Sequence, residues 1–259
     1  MIRSVNFSYG MKSQTHASIS KTVGKGSAPE RRELVGTRSE KNLIRAEKPE
    51  CLVQEFSSKN TNGDSTNSAA ALRSAIRNEI SSYLFEYIEG FHIPTHFLSK
   101  LSTTEMLVRW TDNIPIEVCV DNLSSKSFSE RYGLPESQLF DFPIIEHYYL
   151  KKDGTRLLAN EYHFFALNVV SPEEFKHINR IASKVNAVLR GLCDRRQLTL
   201  VHLTLYFGRS HGQLFVIDEL SPSTFHIIEK EHARNYHGTN HDLDEAALAG
   251  LRDRLMLKV

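Results

Sequence analysis

Residues 199–219 constrain this chain more than any other stretch. They run Leu200-Val201-His202-Leu203-Thr204-Leu205-Tyr206-Phe207, then Gly208-Arg209-Ser210-His211-Gly212, then Gln213-Leu214-Phe215-Val216-Ile217-Asp218-Glu219. Apolar and polar residues alternate on either side of a glycine-bracketed polar turn, which predicts a β-hairpin. Successive side chains on a strand point to opposite faces, so Val201, Leu203, Leu205 and Phe207 share one apolar face that must pack on something. The other face carries His202, Thr204 and Tyr206, and the return strand ends in the carboxylate pair Asp218-Glu219. Such a hairpin can floor an active site or lie on the surface with one face solvated. These residues alone leave both open.

At 259 residues the chain can form one large domain or two small ones sharing a cleft. With 40% hydrophobic and 24% charged residues its composition is that of an ordinary globular protein. The formal net charge of +1 gives no electrostatic case for nucleic acid or an anionic membrane surface. No apolar run approaches the roughly 20 residues that span a bilayer. Cys51, Cys119 and Cys193 are widely spaced, odd in number and in no metal-ligand pattern, and read as buried thiols of a reducing, cytoplasmic compartment. Residues 1–29 contain no acidic residue and interleave Arg3, Lys12, Lys21 and Lys25 with small polar residues. That predicts a disordered tail over residues 1–32, although an organelle transit peptide has a similar composition.

The remaining elements follow from pattern. Two short strands flank a polar loop at residues 36–41, and Pro49 precedes a strand at residues 51–56. Ala71, Leu72, Ile76, Ile80, Leu84 and Ile88 mark a helix over about residues 67–90, capped by Gly90. Strand-like runs follow at residues 95–98, 105–110 and 114–120, with Pro115 placing the last at an edge or connector. Residues 122–138 are rich in hydroxyls and bases, which suits an anion site or an ordinary exposed loop. Residues 144–150 read as a further strand. Ser171-Pro172-Glu173-Glu174 predicts a capping box, opening a helix whose buried stripe is Phe175, Ile178, Ala182, Val185, Leu189 and Leu192. A last helix is expected over residues 244–256. His232, His237 and His241 read as a solvated loop before a metal site, and Trp110 as a packed hinge aromatic before an adenine-stacking one.

Several runs resemble the SAICAR synthetase family, the purine-pathway ligases also called phosphoribosylaminoimidazole-succinocarboxamide synthases. They include Asn113-Ile114-Pro115-Ile116-Glu117-Val118-Cys119-Val120, Ser127-Phe128-Ser129-Glu130-Arg131-Tyr132-Gly133, Lys184-Val185-Asn186-Ala187 and Asp218-Glu219-Leu220-Ser221-Pro222. The resemblance is collinear over residues 38–229. It implies an α+β, two-lobed fold related to the ATP-grasp enzymes, with antiparallel sheets, packed helices and a nucleotide cleft between lobes. The lobes fall at residues 33–111, binding ATP, and 112–259, binding substrate and metal. It also implies Mg²⁺-assisted transfer of the ATP γ-phosphate to a carboxylate, followed by attack of the aspartate amine.

Carried over by motif, Lys41 stands at the ATP phosphates, Met106 and Ile114 near the base, Glu117 on the cofactor side and Asp218 on Mg²⁺. Asn122, Lys126, Ser127, Arg131 and His226 line the substrate side. Asp218, His202 and Tyr206 occupy the catalytic positions. Several of these places depart from the family pattern. Of its Gly-Lys-Ala-Lys loop only the final lysine remains, as Lys41. Its Arg-Asn-x-Ala-Ala-Gly-Ser loop begins here with Asp121, and Lys126 stands near the reversed charge. The Asp, Lys and Glu of its hairpin strand are His202, Thr204 and Tyr206, and its later Arg is His226. The packing residues behind them stay apolar. The expectation is therefore an ATP-dependent ligase joining a carboxylated, imidazole-type nucleotide to an amino acid such as aspartate. It would be a divergent paralog with an altered substrate, as in specialised nucleoside biosynthesis. The alternative is an inactive member that binds nucleotide or protein. Its expected partners are small molecules, with no nucleic acid or membrane, and the chain acts alone or as a homo-oligomer.

Overall fold

The computed structural model describes residues 33–38, 41–57, 68–235 and 243–257. The expected tail, His237 and His241 lie outside them. The first of two antiparallel sheets contains β1 (Leu34–Arg38), β2 (Lys41–Arg45), β3 (Cys51–Phe56), β4 (Phe97–Lys100) and β5 (Glu105–Arg109), in spatial order β1-β2-β3-β5-β4. The second contains β6 (Asp112–Leu123), β7 (Leu139–Leu150), β8 (Arg156–Ala159), β9 (Leu198–Ser210) and β10 (Gln213–Ile217), in order β10-β9-β6-β7-β8. A further strand, β11 (Phe225–Glu229), also pairs with β9. The helices are α1 (Ser68–Glu89), α2 (Lys126–Tyr132), α3 (Glu161–Ala166), α4 (Pro172–Asp194) and α5 (Glu245–Met256), with a 3₁₀ segment at Lys230–Asn235.

The expected hairpin is β9–β10, and its apolar face (Val201, Leu203, Leu205, Phe207) is buried. The turn is tighter than the glycine bracket suggested. Ser210 pairs with Gln213, leaving only His211 and Gly212, both at positive φ, as a two-residue turn should have. Gly208 lies within β9, and the reason for a glycine there is close approach. A Cβ would stand 2.6 Å from Thr111 Oγ1, in the short link between β5 and β6 where the chain passes from one sheet to the other.

Helix α4 covers β9 and β6 with the predicted stripe, all six residues buried. Each large side chain there contributes roughly 1.5–3 kcal/mol. Ser171 accepts from the Glu174 amide, which is half of the expected capping box. The Glu174 carboxylate goes instead to Arg209 of β9, whose Nη2 donates at 2.7 Å. In α1 the buried face begins at Ser74, and Ala71 and Leu72 of the expected stripe are exposed.

Three expectations are corrected. Pro115 is in an interior strand, between β9 and β7, but its missing N–H costs little because the β6–β9 register is interrupted between Asn113 and Glu117. Residues 126–132 are helical, fixed by the Ser125 N-cap and by Gly133 in the left-handed region. Trp110 is 43% exposed, since β5 stops at Arg109 and alternation no longer turns the next side chain inward.

Candidate active site

Where the two sheets meet, four charged side chains form a buried cluster. Lys41, the first residue of β2, is 2% exposed, and its ammonium contacts the carboxylates of both Asp218 and Glu219. Arg77 of α1 donates to Glu219 from Nη2 at 2.8 Å, and its guanidinium lies 5.7 Å from the centre of the Phe56 ring. Adjacent strand residues ordinarily face opposite ways. Here Asp218 leaves β10 at φ 79, a strained left-handed value for a non-glycine residue, and both carboxylates reach one cation. Gln54 Nε2 donates to the Asp218 carbonyl at 2.9 Å, and the Leu220 amide donates to Ser81 Oγ of α1 at 3.0 Å, fixing that bend. Burial opposes ionisation of Glu219, but the charges of Lys41 and Arg77 outweigh it and hold the pKa at about 2. The four formal charges cancel.

The second assembly is the polar face of the larger sheet. Register places Glu117, Cys119 and Asp121 of β6 opposite Tyr206, Thr204 and His202 of β9, and His226 of β11 opposite His202. Tyr206 Oη donates to Glu117 Oε2 at 3.1 Å, and Arg156 Nη2 lies 2.7 Å from Glu117 Oε1. The same guanidinium sits 3.9 Å from the centre of the Tyr148 ring, and Tyr148 Oη donates to Glu146 at 2.9 Å. Arg131 closes the row on Glu146 at 3.0 Å. Burial and the Glu146 carboxylate push the Tyr148 phenol up to about 12. His202 bonds Asp121 through Nδ1 at 2.7 Å and Thr204 through Nε2 at 2.8 Å.

The structure thus brings together His202, Tyr206, Glu117 and His226 on one sheet, with Arg131 of α2 reaching Glu146 on the same sheet, and Lys41 with Asp218 at the sheet junction. Other carried-over residues fall elsewhere. Asn122 is on the opposite face of β6, in a reciprocal amide pair with Asn186 of α4, both bonds 2.9 Å. Met106 and Ile114 belong to the hydrophobic core. Lys126 is exposed at the start of α2, and Ser127 follows it in the same helix. Two grooves of about 530 and 490 Å³ lie apart from the charged cluster, one against Glu89, Arg109 and Phe215, the other against Ser137, Arg190 and Thr199.

Arg77 and Arg156 were not among the expected site residues. Arg77 shares its helix face with Arg73, Ser74 and Ser81, so no isolated charge on an apolar face marked it. Among the described residues no group of three or more His, Cys, Asp or Glu side chains could hold a metal ion. Mg²⁺ seldom needs such a cage, since one or two carboxylates, phosphate oxygens and water suffice. Asp218 suits that mode as a single oxygen donor beside a cation.

The SAICAR synthetase family model matches residues 40–248. The phosphoribosylaminoimidazole-succinocarboxamide synthase of Persephonella marina is 34% identical over 197 residues, covering 75% of this chain and 82% of that protein. The crystal structure of the same-named synthase from Ehrlichia chaffeensis superposes with a TM-score of 0.74 at 27% identity, covering 86% of this chain and 98% of that one. A SAICAR synthetase in complex with ADP gives 0.73 at 27% identity, covering 85% and 97%. An α+β protein with this pair of antiparallel sheets and a charged junction falls in a class of ATP-dependent ligases. The chain belongs to the SAICAR synthetase family.

Proposed function

We propose that this chain is an ATP-dependent carbon–nitrogen ligase whose acceptor pocket has been rebuilt for a carboxylated substrate other than that of its relatives. In this reading residues 33–111 bind ATP and residues 112–259 bind the acid and the amine. Lys41 neutralises phosphate charge and Asp218 is the metal carboxylate. Bound Mg²⁺ would supply charge stabilisation during phosphoryl transfer. Transfer of the γ-phosphate to the acid releases ADP and makes an acyl phosphate, and attack of an amine on its carbonyl carbon breaks the bond to the phosphate oxygen and yields the amide and phosphate. His202, held between Asp121 and Thr204, is the side chain on that face placed to accept the proton that the amine loses.

One observation carries the altered substrate. The family's charged positions on the front face are replaced by residues that pair with one another. Asp121 meets His202, His202 meets Thr204, and Tyr206 meets Glu117. None of these atoms is among the buried polar groups left without a partner. Unselected replacement would more often leave polar atoms on that face without protein partners, at a cost of about 1–3 kcal/mol for each one that is buried. A completed network supports a selected pocket.

The second reading, a member that binds without catalysis, draws on Lys41 being sealed by two carboxylates. ADP release separates the two. The protein is incubated with Mg·ATP and a panel of carboxylated nucleotides and amines that includes the family's own pair. Turnover with a different acid supports the altered substrate. Turnover confined to the family's own pair contradicts it, and no turnover with any pair favours the second reading.

A further inference from the structure

Asp121, His202 and Thr204 lie in one hydrogen-bonded line across β6 and β9. Asp121 Oδ1 is 2.7 Å from His202 Nδ1, and His202 Nε2 is 2.8 Å from Thr204 Oγ1. An ionised Asp121 accepts from Nδ1–H, which leaves the Nε2 lone pair to accept from the threonine hydroxyl. That connectivity is orienter, base and nucleophile, with both links inside the ~2.6–3.2 Å reach that covalent acyl transfer requires.

Access and surroundings agree with it. The His202 side chain is 33% exposed and Asp121 11%, so the orienter is buried and the base reachable. Thr204 is half-buried on the same face. Cys119 Sγ is 3.8 Å from Thr204 Oγ1, but burial and the Glu117 carboxylate push its thiol up to about 12, so it stays protonated and unreactive. Arg156, 3.4 Å from that sulfur and paired with Glu117, stands on the same face.

We propose that Thr204 Oγ1 is a nucleophile for activated acyl donors, esters and acyl phosphates alike, with His202 as general base and Asp121 as its positioning residue. The Thr204 proton passes to His202 Nε2 as Oγ1 bonds to the acyl carbon. The bond from that carbon to the leaving oxygen breaks, and the leaving group takes the proton from His202, or departs as its anion while His202 gives its proton to solvent water. Water then attacks the threonine ester with His202 again accepting a proton, releasing the carboxylic acid and restoring the hydroxyl. No nucleotide takes part, so the centre can be tested whether or not the ligase reading holds.

The full-length protein is treated, without ATP, with p-nitrophenyl acetate and separately with acetyl phosphate. Turnover is followed, and modified peptides are mapped by mass spectrometry. The expected result with either donor is acetyl on Thr204. With the nitrophenyl ester, Thr204→Val and His202→Ala lower turnover about 100-fold or more, while Thr204→Ser keeps it. Asp121→Asn lowers it at least as far, with an unchanged melting temperature and a ¹⁵N spectrum showing the His202 proton moved from Nδ1 to Nε2. Acetyl found only on lysines, or equal turnover by Thr204→Val and the unaltered protein, overturns the proposal.

Discussion

Glu219 is where a single side chain is most exposed to test. Its carboxylate is shared by Lys41 and Arg77, and Ser221 Oγ donates to it as well. Removing it leaves Lys41 with the Asp218 carboxylate alone and takes from the buried Arg77 guanidinium one of the charges it faces. Glu219→Ala should destabilise the protein by about 3–5 kcal/mol, read by urea denaturation. The same residue sets an acid limit. Its folded pKa, about 2, lies below the ordinary 4.5, so its stabilisation is full above pH 4.5 and is lost as pH falls from 4.5 toward 2. Denaturation midpoints of Glu219→Gln should fall less steeply over that window than those of the unaltered protein, whereas parallel curves would contradict the assignment. Residues of this kind were hardly legible beforehand. Asp218-Glu219 stood out as a carboxylate pair, but Lys41 is 178 positions from Glu219 in the chain, and no local pattern announces a contact that distant.

Legibility was best where a residue's role depends on its neighbours in sequence. The β9–β10 hairpin and α4 follow from alternation and from the i, i+3/i+4 stripe, and both pack as those periods require. Helix α2 escaped because a seven-residue helix carries too few turns to show a period, and its ends rest on Ser125 and Gly133. The capping box of α4 was half read. Sequence supplies Glu174 at the right spacing, but Arg209, a residue of another element, takes its carboxylate. Two variants separate these parts. Ser171→Ala should cost about 1 kcal/mol through the lost cap alone. Arg209→Ala should cost more than a surface pair would, because its guanidinium also donates to the Val169 carbonyl at 2.7 Å. Equal melting shifts for the two would contradict that division.

At the scale of the whole molecule, the described residues join the two sheets through a short link, a backbone bridge, the Gln54–Asp218 hydrogen bond, the charged cluster and a shared hydrophobic core. Thr95 pairs with Val216 across the junction, and Gly208 makes room there for Thr111. Gly208→Ala should destabilise by about 1–3 kcal/mol through overpacking, and Thr111→Gly in the same chain should recover most of that loss. Beside this junction the polar face of the larger sheet carries a self-paired set of side chains. Nucleotide binding at the junction requires Lys41 and Asp218 to trade their mutual contact for phosphate and metal. Calorimetric titration of Mg·ATP into the protein, with Asp218→Ala beside it, measures that directly. Saturable binding that weakens at least tenfold in Asp218→Ala is the predicted result. No heat at millimolar Mg·ATP, or identical binding by both proteins, would contradict it.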